Sequence, residues 1–533
     1  MSIHRLARVA VSLLLGRFAC GSALAQWPSD PAANLSLGDR TGEQVQAKIC
    51  ATSDGGCYAS WFDNFSGGYD VYLQRLDPAG FEQWTHNGIL LADCGFSSTE
   101  DYDLDVDADD NAILTYRDDH TGTVRIVANK VDSLGTPLWG PFGVQVSVSP
   151  DVHTPRVCAT SSGNVVVGWS VGNGFRLQKL DASGTPQWGA EGLLLQPSTG
   201  SYFLSDLVAS DGDNVIALWV RPIGNFLSDK HLYTQKFDGA GNALWDRTPG
   251  TPASKDPIIV YDGGSVQNGY FPAFVSDQAG GGVYGWYEIS GNRHAYVQRV
   301  TAAGAELFAH NGVACSTTAG RIQLSPSVAF APLTGETFLA WTEANSLQSQ
   351  WGISAQKYSA AGARDWGNGG RELLPLSTVQ NGFVTALEQG GELIVAAFSA
   401  FPGRIIATRR DTNGNAVWTP AMIDVCSTVS GKDDLEAAQT DAGMMLFAWT
   451  DDRRDAGNIY AQNLNPDGSL GVPGCPGDLD GDGDVDLADL SALLTNYGTP
   501  SGADPGDGDL DGDGDVDLAD LSALLENFGA GCA

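Results

Sequence analysis

Basic residues are scarce in this sequence. Its 533 residues include 29 Lys and Arg against 64 Asp and Glu, which gives a formal net charge of −35. Proteins that bind nucleic acid neutralise the phosphate backbone with Lys and Arg side chains. The charge balance therefore excludes DNA and RNA as partners. The 42% of hydrophobic residues is ample for a packed core, so most of the chain is expected to be globular.

A long apolar run is also missing. Near the N-terminus two arginines precede an apolar stretch, Val9–Gly16, and an Ala-Leu-Ala cleavage motif ends at Ala25. The stretch is too short to span a bilayer, and Arg17 interrupts it. We predict that residues 1–25 are a signal peptide and that the protein is secreted or associated with the cell surface, without a transmembrane anchor. The alternative is a lipoprotein acylated at Cys20.

The sequence contains no motif that indicates a particular catalytic reaction. The HExxH, GxSxG and GxxxxGK patterns are absent, as are the Asp-box repeats of sialidase-like proteins. The histidines are scattered over different parts of the chain, at His86, His120, His153, His231, His294 and His310. The acidic turns 117–119 and 451–454 are candidates for the paired carboxylates of a glycosidase, the alternative being solvated loop charges. The catalytic residues, if any, are unknown at this stage.

Cysteines with the tight CxxC spacing of a thiolate metal site are absent as well. Without Cys20 an even number remains, in a protein bound for an oxidising compartment, so disulfides are possible but not required. The alternative is a set of buried free thiols. The last two, Cys475 and Cys532, bracket an acidic segment, and a disulfide between them is expected to join its ends.

That acidic segment contains an internal repeat. Residues 477–490 recur without change at 508–521, and from Cys475 to the end there are fifteen Asp or Glu and no Lys or Arg. Each copy has carboxylates at positions 1, 3, 5, 9 and 12 and Gly at position 6 of an EF-hand-type loop, and position 7 offers its backbone carbonyl. This pattern predicts two calcium ions, one per loop, bound by Asp478, Asp480, Asp482, Asp484, Asp486 and Asp489 and by Asp509, Asp511, Asp513, Asp515, Asp517 and Asp520.

Each loop is followed by leucines spaced for one face of a short helix, which ends at Gly498 and at Gly529. No helix enters the first loop. Two loop–helix units offset by 31 residues, with Asp at position 12, resemble the type I dockerin module. The resemblance implies a small α-helical module over residues 474–533 that docks onto a cohesin-type module of a partner protein. The alternative is a calcium-stabilised plug that has no partner.

A diverged repeat of about 50 to 60 residues fills residues 26–473, a period typical of propeller blades. A polar residue recurs in mid-repeat, at Gln74, Asn129, Gln178, Gln235, Gln298, Gln356, Arg409 and Gln462. A Gly-x3-aromatic pair, such as Gly80/Trp84, follows in seven of the eight copies. The eighth copy has Gly468 without an aromatic partner, whereas Gln26-Trp27 repeats the end of the other copies.

The repeats therefore predict an all-β fold, an eight-bladed β-propeller closed by the N-terminal strand, with seven blades as the nearest alternative. Aromatic side chains such as Trp61 and Trp286 are expected to pack between blades. Our first functional hypothesis is a secreted, non-catalytic binding or display platform with a calcium-dependent docking tail. The second is a carbohydrate-active enzyme, a glycoside hydrolase or polysaccharide lyase, with its active site at the mouth of the propeller channel. Either hypothesis allows a polysaccharide or surface ligand.

Overall fold

The computed structural model describes residues 26–225, 227–247, 255–266, 272–291, 293–400, 403–472, 477–479, 485–503, 507–510 and 514–529. The predicted signal peptide, Cys475 and Cys532 lie outside these residues. No helix in these ranges is long and apolar enough to cross a membrane. In all of them the structure is β except for two short helices near the C-terminus.

The strands form eight separate four-stranded antiparallel sheets, the blades of an eight-bladed propeller. Strand β1 (Leu35–Gly38) belongs to the last blade. Blade 1 contains β2 (Gln44–Ala51), β3 (Cys57–Asp63), β4 (Asp70–Leu76) and β5 (Ile89–Ala92), and blade 2 contains β6 (Asp103–Val106), β7 (Ala112–Asp118), β8 (Arg125–Val131) and β9 (Val144–Gln145). Blade 3 contains β10 (Val152–Ala159), β11 (Val165–Val171), β12 (Gly174–Leu180) and β13 (Leu193–Leu195), and blade 4 contains β14 (Phe203–Ala209), β15 (Val215–Pro222), β16 (Lys230–Phe237) and β17 (Ile258–Tyr261).

The second half of the ring repeats this order. Blade 5 contains β18 (Ala273–Ser276), β19 (Gly282–Tyr287), β20 (Ala295–Val300) and β21 (Val313–Ala314), and blade 6 contains β22 (Arg321–Ala331), β23 (Glu336–Asn345), β24 (Trp351–Tyr358) and β25 (Arg371–Ser377). Blade 7 contains β26 (Gly382–Gln389), β27 (Glu392–Ser399), β28 (Arg404–Arg410) and β29 (Ile423–Cys426), and blade 8 contains β30 (Lys432–Gln439), β31 (Met445–Asp451), β32 (Asn458–Leu464) and β1. The first strand of each blade lies innermost, against the first strands of its neighbours.

The ring is closed by the N-terminal segment, as predicted. Strand β1 pairs antiparallel with β32, with Leu35 opposite Ala461, and so completes blade 8. Gln462 donates a hydrogen bond from Nε2 to the carbonyl of Pro28 (2.7 Å). Trp27 supplies the aromatic ring that the eighth repeat lacks, because it packs against Gly80 of blade 1 and donates from Nε1 to Pro78 O.

The recurrent glutamine holds five of the eight blades together from within. Gln235 is buried, accepts the backbone N–H of Lys236 and of Trp245 at Oε1 (both 2.9 Å), and donates to Trp245 O (3.1 Å). The same pattern recurs at Gln74, Gln178, Gln298 and Gln356. The recurrent residue therefore has a structural role in these blades.

The Gly-x3-aromatic pairs join neighbouring blades. Trp245 of blade 4 donates from Nε1 to Ala302 O of blade 5 (2.9 Å), and its ring lies over Gly304. Equivalent bonds from Trp139, Trp188, Trp366 and Trp418 reach the turn of the following blade. The glycine is needed because a Cβ on Gly304 would lie 2.7 Å from Trp245 Cγ. Six blades thus present a glycine to the indole of the preceding blade or, for blade 1, of Trp27. In blade 6 the glycine faces the ring of Phe308 instead.

Larger aromatic rings fill the spaces between blades, as expected. The rings of Trp61, Trp169, Trp219, Trp286, Trp341 and Trp449 are fully buried against the preceding blade, and Tyr116 takes the same place in blade 2. Phe398 of blade 7 is also buried, but it packs against blade 8, the following blade. The six cysteines from Cys50 to Cys426 are free thiols. Of the two possibilities left open for these cysteines, the free-thiol one holds.

The C-terminal repeat forms two helices, α1 (Leu487–Asn496) and α2 (Leu518–Asn527). Val485, Leu493, Val516 and Leu524 are fully buried and form their common core. The two repeats exchange equivalent bonds, since Gly498 N donates to Val516 O (2.8 Å) and Gly529 N donates to Val485 O (2.7 Å). The leucine pattern predicted one apolar face, but Leu487, Leu494 and Tyr497 are exposed. Only part of that face is therefore used for packing in this chain.

Candidate functional site

Three loops on one face of the propeller enclose a pocket of about 680 Å³ between blades 5 and 6. The β19–β20 loop and the start of β20 contribute Arg293, His294 and Tyr296, and the start of β22 contributes Arg321. Hydroxyl groups line the opposite wall, at Ser316, Thr317, Thr318 and Ser346. The inner strands of all blades begin on this face, so we call it the entry face.

His294 is fixed in one tautomer by a buried glutamine. Gln323 is fully buried, and its Oε1 accepts the backbone N–H of Ala295 (3.2 Å), which identifies that atom as the amide oxygen. His294 Nδ1 lies 3.0 Å from the same oxygen and must therefore donate its hydrogen. In the neutral ring the lone pair is then on Nε2. The pocket thus contains an imidazole with one nitrogen available as a base.

Tyr296 lies two residues further along the same strand. Since side chains at i and i+2 of a strand point to the same face, its ring stands beside His294. The ring stacks on Trp286, with 5.9 Å between centroids and 15° between planes. Burial, together with the negative charge of Glu288, raises the pKa of the phenol. Its hydroxyl therefore keeps its proton at neutral pH and can act as a donor.

The two arginines of the pocket differ from most basic residues of the propeller. The residue after each recurrent polar position pairs with a carboxylate in six blades, as Arg75–Asp54, Lys130–Asp107, Lys179–Asp213, Lys236–Asp211, Arg299–Asp277 and Lys357–Glu336. Among the described residues, Arg293 and Arg321 form no ion pair. Burial raises the pKa of the nearby Glu343 and the charge of Arg321 acts to lower it, but in the described part of the chain neither guanidinium group is held in an ion pair. In so acidic a chain, two such cations lining one pocket favour an anionic ligand.

The central channel contains the other concentration of charge. Glu436, Lys48, Asp103, Arg156 and Asp206 stand at equivalent positions of the inner strands of blades 8, 1, 2, 3 and 4. Blades 5 to 7 have Ala273, Ser327 and Thr385 there. One arc of the channel is therefore charged and the other is neutral.

The charged groups of the channel bond to one another and to the backbone. Lys48 Nζ lies 2.9 Å from Glu436 and 3.3 Å from Asp101, which also binds Arg156 (2.6 Å). Asp103 and Asp105 of blade 2 accept the backbone N–H groups of Val157 and Ala159 in blade 3 (both 2.8 Å). These carboxylates therefore connect neighbouring inner strands.

Two channel carboxyls have pKa values near neutrality. Desolvation raises the pKa of Asp206 to about 7, and the charge of Asp103 adds to the effect. Desolvation likewise raises the pKa of Asp105 to about 6. Protonation of the channel therefore changes in the neutral range.

The acidic turns singled out in the sequence have structural partners. Asp451 is buried, lies 3.2 Å from Lys432 and 2.6 Å from Arg453, and accepts the indole N–H of Trp449 (3.0 Å). Desolvation is outweighed by these bonds, which lower its pKa to about 2. Asp118 is buried and binds His120. These two carboxylates are buried in ion pairs and are therefore not solvated loop charges.

Seven of the twelve predicted calcium ligands lie in the described residues, and Asp480, Asp482, Asp484, Asp511 and Asp513 lie outside them. Asp489 and Asp520, at position 12, are fully buried. Asp489 accepts the N–H groups of Leu479 (2.6 Å) and Asp486 (2.8 Å), and Asp520 repeats this with Leu510 and Asp517 (both 2.7 Å). At position 9, Asp486 and Asp517 cap the helices.

These loops have the donors that calcium prefers. Carboxylate oxygens of Asp515, Asp517 and Asp520 lie within 4.8 Å of one another in the second loop. Hard oxygen donors at this density fit Ca²⁺.

The pocket residues were not identified from the sequence. In the sequence His294 is only one of several scattered histidines, and neither Tyr296 nor the two arginines belongs to a motif. One signal was available: Arg293 and Arg321 lie outside the repeated Lys/Arg position. Their convergence depends on the packing of blade 5 against blade 6, which the repeat pattern alone does not describe.

No protein-family model matches the chain, and no curated protein matches its sequence. Its fold is similar to that of an ulvan lyase of polysaccharide lyase family PL25 (10% identity, 84% of this chain and 97% of that chain covered, TM-score 0.40). It is also similar to the lectin BP39L from Burkholderia pseudomallei (13%, 70% and 98%, 0.44) and to an α-L-arabinanase from Penicillium chrysogenum (12%, 60% and 94%, 0.33). At these identities the likeness is one of fold alone.

Proposed function

We propose that the protein is a secreted polysaccharide lyase that cleaves an acidic polysaccharide in the pocket between blades 5 and 6. The observation that carries this proposal is the set His294, Tyr296, Arg293 and Arg321 in one pocket of about 680 Å³. This proposal agrees with the second of the two hypotheses drawn from the sequence in being a carbohydrate-active enzyme rather than a display platform. It differs in the site, which we place between two blades of the entry face and not at the mouth of the channel.

The groups suit a β-elimination at a uronate residue. Arg293 and Arg321 bind the uronate carboxylate and make the neighbouring C5 proton more acidic. His294 Nε2 removes that proton, the electron pair of the C5–H bond forms the C4=C5 double bond, and the C4–O bond breaks. The leaving oxygen takes the proton of the Tyr296 hydroxyl. The products are an unsaturated uronate and a new chain end, and solvent returns both enzyme groups to their starting protonation.

A lyase is favoured over a glycoside hydrolase for a physical reason. A hydrolase needs two carboxyl groups free to act on the glycosidic bond and on water or the sugar. Among the described residues, no Asp or Glu lines the pocket between blades 5 and 6. Of the channel and turn carboxylates, Asp103 and Asp105 are bonded to backbone N–H groups of the next blade, and Asp451 is held in ion pairs. The pocket has a base (His294), an acid (Tyr296) and two cationic groups (Arg293 and Arg321). None of the bonds just described involves these side chains.

The test is to incubate the full chain with polygalacturonate, alginate and hyaluronan and to follow the ultraviolet absorbance of the new double bond. His294→Ala and Tyr296→Phe should each lower the rate by about 10²–10⁴-fold. Tyr296→Phe keeps the ring on Trp286, and His310→Ala removes an exposed histidine outside the pocket as a control. Binding without absorbance would support the non-catalytic platform, and neither binding nor absorbance would overturn the proposal.

We further propose that the C-terminal module binds two calcium ions and docks onto a cohesin-type partner. The support for calcium is the oxygen donor set described above. The support for docking is a pair of equivalent exposed apolar sets, Leu487, Leu494 and Tyr497 on α1 and Leu518, Leu525 and Phe528 on α2. Because the two sets are related by the repeat, the module can present the same face to a partner in two orientations.

Calcium titration of the full chain by calorimetry tests this second proposal. The unmodified protein should bind two ions, and a variant with Asp478→Ala and Asp509→Ala should bind neither tightly, since both loops lose their first ligand. A cohesin module should then bind only with calcium present. The melting temperature of the propeller should be the same in both proteins. If calorimetry at millimolar calcium detects no heat of binding, the proposed calcium sites are wrong, and so is the docking that depends on them.

A further inference from the structure

A second cavity, of about 380 Å³, lies where the inner strands of blades 6, 7 and 8 begin. Its walls combine one exposed aromatic ring, Phe383, with hydroxyl groups of Ser325, Ser327 and Thr385 and with the carboxylates of Asp433 and Asp434. Ser325 and Phe383 also line a smaller cavity of about 180 Å³, next to Trp351. The two cavities thus meet at the ring of Phe383.

Phe383 stands in an unusual position for an aromatic residue. It occupies the bulge of an inner strand with φ +52°, in the left-handed region that a bulky side chain rarely adopts. Equivalent bulges with positive φ have polar residues, at Gln46, Thr154, Ser325 and Asp434. The ring of Phe383 is nevertheless 54% exposed. An apolar ring is placed here in a position where other blades present polar groups to water.

The ring is held rigidly. The backbone N–H of Phe383 donates to Thr342 Oγ1 (3.2 Å), and its ring meets Phe398 edge-on, with 6.2 Å between centroids and 70° between planes. Phe398 is itself buried between blades 7 and 8. A flat apolar surface fixed in this way is suited to contact the C–H face of a sugar ring.

The polar groups around Phe383 define what kind of sugar fits. Hydroxyl groups and carboxylates accept hydrogen bonds from sugar hydroxyls, whereas Asp433 and Asp434 repel a uronate carboxylate. Among the residues that the structure describes, no arginine or lysine lines this cavity. The cavity therefore favours a neutral sugar, in contrast to the arginine-lined pocket.

Strand β22 connects the two sites. Arg321 and Ile322 line the catalytic pocket, and Ser325 lines both cavities at Phe383. Three residues of extended chain separate Ile322 from Ser325, which is about 10 Å. We infer that Phe383 is the platform of a neutral-sugar subsite, and that the preferred polysaccharide combines uronate residues with neutral sugars. This inference rests on the proposed lyase site.

Affinity electrophoresis of the full chain tests the subsite with two polymers. Hyaluronan alternates a uronate with a neutral sugar, whereas polygalacturonate is made of uronate alone. Phe383→Ala should weaken retention by hyaluronan about tenfold and leave retention by polygalacturonate unchanged. Phe383→Tyr, which keeps the ring, should behave as the unmodified protein. Phe142→Ala removes a similarly exposed ring, 59% exposed, that lines none of these cavities, and is the matched control.

The outcomes separate the two proposals. If the unmodified protein binds neither polymer, the proposed function and the subsite both fail. If Arg321→Ala abolishes retention while Phe383→Ala matches Phe142→Ala, the lyase site stands and the subsite is wrong. If Phe383→Ala weakens both polymers equally, the ring does not distinguish neutral sugar from uronate, and the inferred preference is overturned.

Discussion

Single carboxyl groups in the channel differ in protonation because their surroundings differ. Asp101 lies against Lys48 and Arg156. Although desolvation acts to raise its pKa, these positive charges outweigh it and lower the pKa. Asp206 is desolvated close to Asp103, and its pKa rises to about 7. Asp101, just before the inner strand of blade 2, and Asp206, on the inner strand of blade 4, are therefore expected to affect stability with opposite signs.

Asp206→Asn should stabilise the protein at high pH. Between the ordinary aspartate pKa and about 7 the folded state holds a proton that the unfolded state has released, so stability falls as pH rises. Asparagine removes this loss, and the free energy of unfolding should rise by roughly 1–2 kcal/mol at pH 8 and by less at pH 5, where only part of the loss has occurred. Denaturant unfolding at the two pH values measures this.

The matched control for that measurement is Asp101→Asn. A carboxylate with a lowered pKa contributes stability above its unfolded pKa, and that contribution is lost as pH falls through the folded pKa. Asp101→Asn should therefore destabilise the protein at pH 8. Equal behaviour of the two variants would contradict the assigned environments.

At the scale of the blade, the glycine–indole contact is the joint between neighbours. Gly304→Ala should lower the free energy of unfolding by roughly 2–4 kcal/mol, because the new Cβ meets Trp245 as well as a φ of +81°. Gly122→Ala has nearly the same φ, +80°, with no atom within 4 Å, and so measures the cost of the backbone conformation alone. The difference between the free energies of unfolding lost by the two variants, measured with denaturant, gives the energetic cost of the contact with Trp245. If both variants lose the same free energy, the packing of neighbouring blades does not depend on this glycine–indole contact.

The sequence predicted blades well because each is a local unit with its own markers. The recurrent glutamine and the Gly-x3-aromatic pair both make bonds within about 60 residues of chain, and so they recur visibly. The missing aromatic at Gly468 and its replacement by Trp27 predicted the closure. The positions of α1 and α2 also followed from the leucine spacing and the two glycines.

The candidate site could not be predicted in the same way. His294 and Tyr296 belong to blade 5 and Arg321 to blade 6, so the pocket exists only where two blades meet. The buried Gln323 that orients His294 is likewise on the next blade. A repeat pattern shows only the residues that all blades share. This pocket depends on residues of blades 5 and 6 that the other blades do not share.

At the scale of the molecule, charge is divided between two different uses. In the propeller most lysines and arginines are paired, and the channel arc joins five inner strands through ion pairs and backbone bonds. In the tail, fifteen acidic residues stand without any basic residue. Negative charge therefore acts as internal bonding in one part of the chain and, in our proposal, as a set of metal ligands in the other.

The closure of blade 8 by β1 has a consequence for synthesis. Residues 35–38 leave the ribosome early, yet their partner strand ends at Leu464, more than four hundred residues later. Until β32 has been synthesised, β1 has no strand to pair with, although the other seven blades precede β32 in the chain. A chain cut short before blade 8 cannot close the ring. Only a chain synthesised through β32 can therefore form the closed ring, and this condition applies before any ligand binds.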